Sequence, residues 1–166
     1  LLDEKGVDRA VFFFSANPGE EVRPMAKIAS GGELSRIVLA LKELLAQETV
    51  DETLIFDEVD AGIGGRTADR VGERLRTLSR QHQVICITHL PQIACYGEYH
   101  YVVRKSTLKG RTVTAMKELN EKERVEEIAR MLGGTRISAK TRAHAGEMLK
   151  QAQQSGFRVQ GSGPSN

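Results

Sequence analysis

Three short groups of residues have the types and spacing needed for chemistry on a phosphate. They are Ser30-Gly31-Gly32-Glu33, Asp57-Glu58 and His89. Gly31 and Gly32 lack β-carbons, so another molecule can approach their backbone N–H groups closely. They stand at the start of a helical pattern, and a helix N-terminus carries about half a positive charge. The first group therefore predicts an anion site.

The acidic pair and the histidine suggest what happens to that anion. Asp57 has the position of a carboxylate that holds Mg²⁺ through water, since magnesium prefers one or two carboxylates together with phosphate oxygens. Glu58 comes next and could polarise a water for in-line attack on a γ-phosphate. A positioned general base contributes about 10²–10⁴ in rate. His89 could hydrogen-bond the same phosphate or fix the attacking water.

Each group also has an ordinary structural explanation. An acidic pair after a strand is commonly a polar turn, and a histidine at a strand end is commonly solvated. Ser30 with Glu33 is commonly a capping box. Taken singly, these explanations are favoured. The order of the three groups and their places on the predicted elements favour the chemical interpretation.

Hydrophobic periodicity predicts the elements that position these groups. Apolar residues spaced by three and four from Glu33 to Gln47 predict an amphipathic helix. Its apolar face consists of Leu34, Ile37, Val38, Leu41, Leu44 and Leu45. Apolar runs at 53–58 and 83–88 predict two buried strands. The helical pattern between them carries Ala68, Val71, Leu75 and Leu78.

Strand, helix and strand together predict a βαβ unit with a parallel sheet. In open α/β sheets, ligands bind outside the carboxyl ends of the strands. Asp57-Glu58 and His89 both fall at such ends, so we expect them to be near neighbours.

The remaining patterns predict the flanking elements. A strand is predicted at 9–16, closed by a Pro/Gly turn, and a short helix in LPQIACYG. The segments YHYVVRKS and RTVTAMKEL predict a hairpin. A helix capped by Asn120 with Glu123 and ending at Gly133 and Gly134 follows, and a last helix is predicted at 138–154. We expect one domain at 1–154. The Gly/Ser/Pro-rich residues 155–166 are expected to be a disordered tail.

Composition narrows the compartment and the partners. The 166 residues carry a net charge of +2, which gives no field that by itself implies nucleic acid or a membrane. No apolar run approaches the roughly 18 residues that span a bilayer. Cys86 and Cys95 are expected to be free buried thiols in a reducing compartment rather than a disulfide. Arg104, Lys105, Lys109 and Arg111 cluster at the predicted hairpin, where a solvated face is favoured over contact with phosphates.

The constellation resembles the ATP-binding cassette ATPases and, within them, the SMC/Rad50-like branch. The matching motifs are the signature motif at Ser30–Glu33, Walker B at Leu54–Glu58, the D-loop at Asp60–Gly62 and the switch histidine at His89. The strings FSANPGE, KIASGGELSRIVLALK, FDEVDAGIGGRTA and THLPQIA resemble the carboxyl-terminal head segment of a bacterial DNA repair member of this branch, over about residues 7 to 150.

This resemblance implies a fold, a set of roles and a set of partners. The fold is α/β, the carboxyl-terminal lobe of a P-loop ATPase head, with a largely parallel sheet, flanking helices and a β-hairpin near the C-terminal part. The implied roles are catalysis by Glu58 and His89, contact with ATP by Ser30, Gly31, Gly32, Glu33 and Asp60, and Mg²⁺ binding by Asp57. In such ATPases two heads sandwich ATP, and the signature motif of one contacts the γ-phosphate held by the other. A homodimer is therefore expected.

One part of an ATPase head is missing from the sequence. No G-x-x-x-x-G-K-[S/T] occurs in the 166 residues, so the lysine and backbone cradle for the β- and γ-phosphates are absent. In SMC-like proteins that Walker A motif comes from the amino-terminal part, beyond a long coiled coil, and the start at Leu1 suggests a fragment. We expect this chain to be inactive alone and to need the amino-terminal lobe. The resemblance further implies action on DNA in double-strand break repair, in the nucleoid of the bacterial cytoplasm and away from membranes.

Two other functions stay open. The chain could be a lobe of another cassette ATPase, such as a transporter, although transporter signatures typically read Gln where Glu33 stands. It could also be a non-catalytic interaction module that only binds a partner head or the coiled coil. The joint presence of Asp57, Glu58 and His89 makes that module less favoured for the parent protein, and titration with ATP would separate the two descriptions.

Overall fold

A computed structural model describes residues 10–15, 19, 21–25, 30–45, 52–108, 111–134 and 136–155. The helices are α1 (Gly31–Leu45), α2 (Gly65–Leu78), α3 (Pro91–Ala94), α4 (Glu121–Gly133) and α5 (Ala139–Ser155). The strands are β1 (Phe13–Phe14), β2 (Arg23–Pro24), β3 (Thr53–Phe56), β4 (Gln83–Cys86), β5 (Tyr101–Leu108) and β6 (Arg111–Glu118).

The centre of the fold is the predicted βαβ unit. Strands β3 and β4 pair in parallel, from Thr53 opposite Gln83 to Phe56 opposite Cys86. Helix α2 connects them. In the described residues the parallel sheet has these two strands, and the other two pairs, β1 with β2 and β5 with β6, are antiparallel. The described chain contains a single strand–helix–strand crossover, and each further parallel strand would need another.

Two apolar clusters hold the helices in place. The first packs α1, α2 and α3 against β3 and consists of Leu39, Phe56, Val59, Ala68, Val71, Leu75, Leu78 and Ile93. The second packs α4 and α5 around the end of α3 and consists of Cys95, Ile128, Ala129, Ala145, Leu149 and Ala152. Cys86 and Cys95 are both free thiols, as predicted. Burial raises the pKa of Cys86 to about 12 and that of Cys95 to about 11.

The C-terminal half follows the sequence prediction closely. Strands β5 and β6 form the predicted hairpin. Asn120 and Glu123 form the predicted capping box at the start of α4, with each side chain accepting from the other residue's backbone N–H. Gly134 ends this helix with a φ of 62°, a conformation that favours glycine.

Helix α1 packs on the body with a face other than its apolar one. Gly32 and Leu39 are its buried residues. The apolar face is largely open, and Leu34, Val38, Leu41, Leu44 and Leu45 are exposed. The face that meets the body is Gly32, Ser35, Arg36 and Leu39, which follow the helical spacing of three and four. The predicted amphipathic helix is confirmed as α1, but its apolar face does not contact this core in the described residues.

One face of the β3–β4 pair is open in the same way. Phe56 is buried, whereas Ile55 is 66% exposed, and Ile85 and Ile87 are also exposed. Burial of the strands on both faces, as their apolar runs predict, is therefore not found among the described residues. The covered face lies on α2, and the opposite face presents isoleucines.

The chain ends are described only in part. The strand predicted at 9–16 is confirmed only as Phe13–Phe14, paired with Arg23–Pro24. The tail at 156–166 and Lys109 of the hairpin turn lie outside the described residues. In the part of the chain that the structure describes, no helix combines the length and the apolar character needed to cross a lipid bilayer.

Candidate functional site at the ends of the parallel strands

The carboxyl ends of β3 and β4 lie side by side and carry the predicted acidic pair and histidine. The Ile87 N–H donates to the Phe56 carbonyl at 2.9 Å, one residue beyond the paired strands. The chain then diverges into two turns, 57–61 after β3 and 87–90 after β4. The segments expected to be neighbours are therefore joined directly.

Asp60 connects the two turns. It is 4% exposed, and its Oδ2 accepts from Thr88 Oγ1 at 2.6 Å and from the His89 backbone N–H at 2.8 Å. The same oxygen lies 2.9 Å from His89 Nδ1. Burial raises the pKa of Asp60, but the hydrogen bonds from Thr88 and His89 and the His89 ring together bring this pKa below its ordinary value. Asp60 is thus a buried carboxylate whose ionised form is stabilised by the residues after β4.

This contact fixes the orientation of the His89 ring. With Nδ1 donating to Asp60, a neutral ring presents Nε2 as an acceptor. The side chain is 77% exposed. The ring therefore stands in solvent at the strand ends while one of its nitrogens is anchored to the interior.

Asp57 and Glu58 form a short turn with exposed side chains. Asp57 Oδ1 accepts from the Glu58 N–H at 2.9 Å. Glu58 has a φ of 56°, in the left-handed region that a non-glycine residue enters at a cost of about 1 kcal/mol or more. The Ala61 N–H donates back to the Glu58 carbonyl at 2.9 Å. Neighbouring contacts must hold this strained residue in place.

The start of α1 lies directly against this turn. A β-carbon on Gly32 would lie 2.7 Å from Ala61 Cβ and 2.8 Å from the Glu58 carbonyl oxygen. A β-carbon on Gly31 would lie 2.8 Å from Glu58 Oε2. Gly32 is buried and Gly31 is exposed. Close packing inside the chain therefore requires at least Gly32 to be glycine, whatever else approaches the helix start.

Ser30 and Glu33 contribute a helix cap, as their spacing predicts. The Glu33 N–H donates to Ser30 Oγ at 3.4 Å, which is long for a hydrogen bond. Both side chains are half-buried. Ser30 is thus a weak cap in this structure, and its role toward a phosphate stays a prediction.

Three residues of the site were missed by sequence reasoning. Ser35 Oγ donates to the Asp57 carbonyl at 2.9 Å, and Arg36 Nη1 donates to the carbonyls of Val59 and Ala61. Thr88 binds Asp60. A signal for Arg36 was present, because it stands four residues after Gly32 and so lies on the same face of the helix.

The carboxylates of the site do not form a metal cage by themselves. In the described ranges, no group of three or more His, Cys, Asp or Glu side chains is arranged to hold a metal ion. A single exposed carboxylate such as Asp57 still suits Mg²⁺, because this ion keeps several waters and takes its other ligands from phosphates. The donor set fits a magnesium ion that arrives with a nucleotide.

A cavity of about 550 Å³ lies elsewhere, between the hairpin and α4. Its lining includes oppositely charged side chains that neutralise each other, with Lys117 paired to Glu123 and Arg130 to Glu127. Its lining includes Arg104 of the hairpin cluster and Glu123 of the helix cap, but none of the candidate catalytic, nucleotide-binding or metal-binding residues. The strand ends therefore remain the candidate site.

Known proteins give the chain a family context. No family model matches the chain. It is 52% identical over 150 residues to the DNA repair protein RecN of Xylella fastidiosa strain 9a5c, covering 90% of this chain and 27% of that protein. RecN of Haemophilus influenzae is 50% identical over 148 residues, covering 89% of this chain and 26% of that protein. RecN of Bacillus subtilis is 44% identical over 153 residues, covering 92% of this chain and 27% of that protein.

The chain is a RecN-like segment. It spans about a quarter of the length of the curated relatives it matches. A solved structure described as "Structural biochemistry of ATP-driven dimerization and DNA stimulated activation of SMC ATPases" matches with a TM-score of 0.46 and 17% identity, covering 76% of this chain and 83% of that one. The RecN relatives confirm the predicted relationship to a bacterial DNA repair protein, while the roles of individual residues stay predictions.

Proposed function

We propose that this RecN-like segment is the carboxyl-terminal lobe of an ATPase head and supplies its catalytic turn. One observation supports this most strongly. An exposed carboxylate pair and a histidine anchored to a buried carboxylate stand together at the ends of parallel strands, beside a glycine-rich helix start. Such strand ends are where open α/β sheets bind ligands.

In this proposal Glu58 is the general base and His89 assists it. Glu58 polarises the water that attacks the γ-phosphate, and its exposed carboxylate is free to reach that water. His89 presents Nε2 to the same region and hydrogen-bonds the water or the phosphate. Asp60, which the family resemblance gives a nucleotide contact, has its Oδ2 committed to Thr88 and His89. We therefore propose that Asp60 acts on the nucleotide through His89.

ATP and Mg²⁺ are the proposed cofactors. Asp57 would hold the magnesium ion, which when bound neutralises charge on the phosphates. The first N–H groups of a helix have no acceptor within the helix. Ser30, Gly31, Gly32 and Glu33 would therefore offer an anion site to the γ-phosphate held by a second head, so that two copies form a homodimer around ATP.

The amino-terminal lobe with the Walker A motif is the proposed cover for the open apolar surface. That surface consists of the exposed leucines and valine of α1 and the exposed isoleucines of β3 and β4, the elements that carry the site. The lysine and phosphate cradle that this chain lacks would come from the same lobe. The chain alone is then expected to bind ATP weakly and not to hydrolyse it.

The proposed role of the longer protein follows from its relatives, which are named DNA repair proteins. We propose that ATP-driven engagement and release of two heads acts on DNA at double-strand breaks. The proposed place is the bacterial cytoplasm, at the nucleoid. Neither the net charge of +2 nor the described surface requires a membrane.

The test is Mg²⁺-dependent ATP hydrolysis by the longer protein with Glu58→Gln. The expected result is a loss of about 10²–10⁴ in kcat with ATP binding retained, because only the base is removed. Glu73→Gln on α2 is the matched control, since Glu73 is an exposed glutamate away from the strand ends. Hydrolysis at the normal rate by Glu58→Gln would end the proposed role of Glu58.

A second function, head docking without catalysis, is favoured by one observation, the open apolar face of α1. It predicts a stable complex with the amino-terminal lobe and no hydrolysis by the folded wild-type protein. The same assay therefore separates the two functions.

A further inference from the structure

The turn that carries Glu58 is held from outside by side chains of α1. Arg36 Nη1 donates to the Ala61 carbonyl at 2.9 Å and to the Val59 carbonyl at 3.2 Å. Ser35 Oγ donates to the Asp57 carbonyl at 2.9 Å. Three alternate carbonyls of a five-residue turn therefore accept from one helix.

These contacts fall where the turn needs support. Glu58 has a positive φ, and the peptide before it is the one whose carbonyl binds Ser35. The peptide before Asp60 carries the Val59 carbonyl, which binds Arg36. Asp60 in turn holds the His89 ring. A shift of the turn relative to α1 would therefore move both Glu58 and His89.

The packing of glycine on this turn leaves little room for adjustment. Because a β-carbon on Gly32 would already clash with Ala61, the helix and the turn approach to backbone distance. Arg36 is half-buried and stands one helical turn beyond this contact. The Arg36 guanidinium therefore binds the same turn on which Gly32 packs, one helical turn further along α1.

We propose that Arg36 is a positioning residue for Glu58 and His89, acting by its hydrogen bonds to the 59 and 61 carbonyls. This inference rests on the proposed ATPase function, because it concerns how the general base of that reaction is held. It also means that α1 connects the predicted anion site to the catalytic turn, because this helix starts at the anion site and its side chains bind the carbonyls of the turn. Arg36 itself touches neither nucleotide nor water in this assignment.

The experiment compares ATP hydrolysis by the longer protein and its Arg36→Gln, Arg36→Lys and Arg70→Gln variants. Arg36→Gln is expected to lower kcat by about 10- to 100-fold, since displacement of a catalytic group by about 1 Å costs on that order. The KM for ATP is expected to change less than about threefold, as the nucleotide contacts remain. Arg36→Lys keeps a donor for the carbonyls and should recover most of kcat.

Arg70→Gln is the matched control, because Arg70 is an exposed arginine of α2 away from the turn. It should leave kcat unchanged. Rates are expressed per folded protein, from circular dichroism melts of each variant. A fall in kcat that only follows the folded fraction, or a rise in KM with kcat unchanged, would overturn the positioning role.

A double-variant cycle gives the sharpest readout. Because Arg36 acts on Glu58 and, through Asp60, on His89, Arg36→Gln is expected to add less than its full loss in a Glu58→Gln background, whereas independent effects would multiply. Ser35→Ala removes only the bond to the Asp57 carbonyl and should lower kcat by up to about tenfold. It replaces Arg36→Gln as the test variant if Arg36→Gln does not fold. Losses in kcat that multiply in the double variant would overturn the inference. If Arg36→Gln does not fold, an unchanged kcat of Ser35→Ala would overturn it.

Different outcomes would overturn the ATPase function and the positioning role of Arg36. An inactive, well-folded wild-type protein would overturn the proposed ATPase function and this inference together. An active wild-type protein whose Arg36→Gln variant keeps its kcat would overturn the positioning role alone.

Discussion

Helices α1 and α2 are both amphipathic, yet they use their apolar faces in opposite ways. Ala68, Val71, Leu75 and Leu78 of α2 are all buried, as their spacing predicts. The corresponding face of α1 is open, and Leu44 is 80% exposed. Helix α1 instead meets the body with Gly32, Ser35, Arg36 and Leu39.

Hydrophobic periodicity therefore identifies the apolar face of a helix but not the part of the protein that covers that face. Helix α2 covers the β3–β4 pair that its own chain forms. Helix α1 uses a small, polar face to reach a turn full of backbone carbonyls, which leucines could not satisfy. Its apolar face is left for a partner, and we propose the amino-terminal lobe.

Removing an α2 core side chain should have the largest effect on this chain. Leu78 is 1% exposed, so Leu78→Ala is expected to lower the free energy of unfolding by about 2–5 kcal/mol, through lost burial and the cavity left behind. Urea denaturation followed by circular dichroism measures it. An effect below about 1 kcal/mol would mean that α2 does not pack as described.

A charge on the open face of α1 should act on association rather than on folding. Leu44→Glu is expected to leave the stability of this chain nearly unchanged, because Leu44 is 80% exposed. It should weaken binding to the amino-terminal lobe by about 100-fold or more, roughly 2.8 kcal/mol, because an unpaired carboxylate would be buried in that contact. Titration calorimetry with the purified lobe gives the affinity. Glu43→Gln on the other side of α1 is the comparison variant. An equal loss of affinity in both variants would show that the lobe does not bind the apolar face of α1.

The turn beneath α1 should depend on pH through Asp60. At pH 7, Asp60→Asn is expected to lower the free energy of unfolding by about 1–3 kcal/mol, since a charged acceptor of several hydrogen bonds is lost. The native pKa of Asp60 is lowered, so its contribution is present above about pH 4 and is lost as pH falls through the native pKa. Denaturation at several pH values should show wild type and variant converging in acid. A constant gap would contradict the ionised role.

The smallest effect is expected from truncation at the open face. Leu44→Ala should change the free energy of unfolding of this chain by no more than about 0.5 kcal/mol, because so little of the side chain is buried. Once the amino-terminal lobe is bound, the same substitution should weaken that complex. Equal, small effects in both states would place the lobe elsewhere.

Much of the architecture could be predicted from residue patterns. The βαβ unit, the hairpin, the Asn120 capping box and the last helix are all confirmed, because each depends on local spacing or turn chemistry. The adjacency of the turns that carry the acidic pair and His89 also followed from parallel topology. These features need no knowledge of tertiary contacts.

Other features depend on contacts between distant segments and were not predicted. Arg36 binds the carbonyls of Val59 and Ala61, which lie more than twenty residues away along the chain, so its helix face could be predicted from spacing but its partners could not. The close packing of Gly32 on Ala61 gives the glycine a reason that its flexibility alone does not suggest. The exposure of the isoleucines on β3 and β4 could not be read from an apolar run that is typical of a buried strand.

If this chain is one lobe of a catalytic head, its ATPase activity should depend on the other lobe. Mg²⁺-dependent ATP hydrolysis is measured for the chain alone, for the amino-terminal lobe alone and for their purified complex. Turnover is expected only in the complex and should be lost with Glu58→Gln. Turnover by the chain alone, or a folded complex that binds ATP without hydrolysing it, would contradict the account.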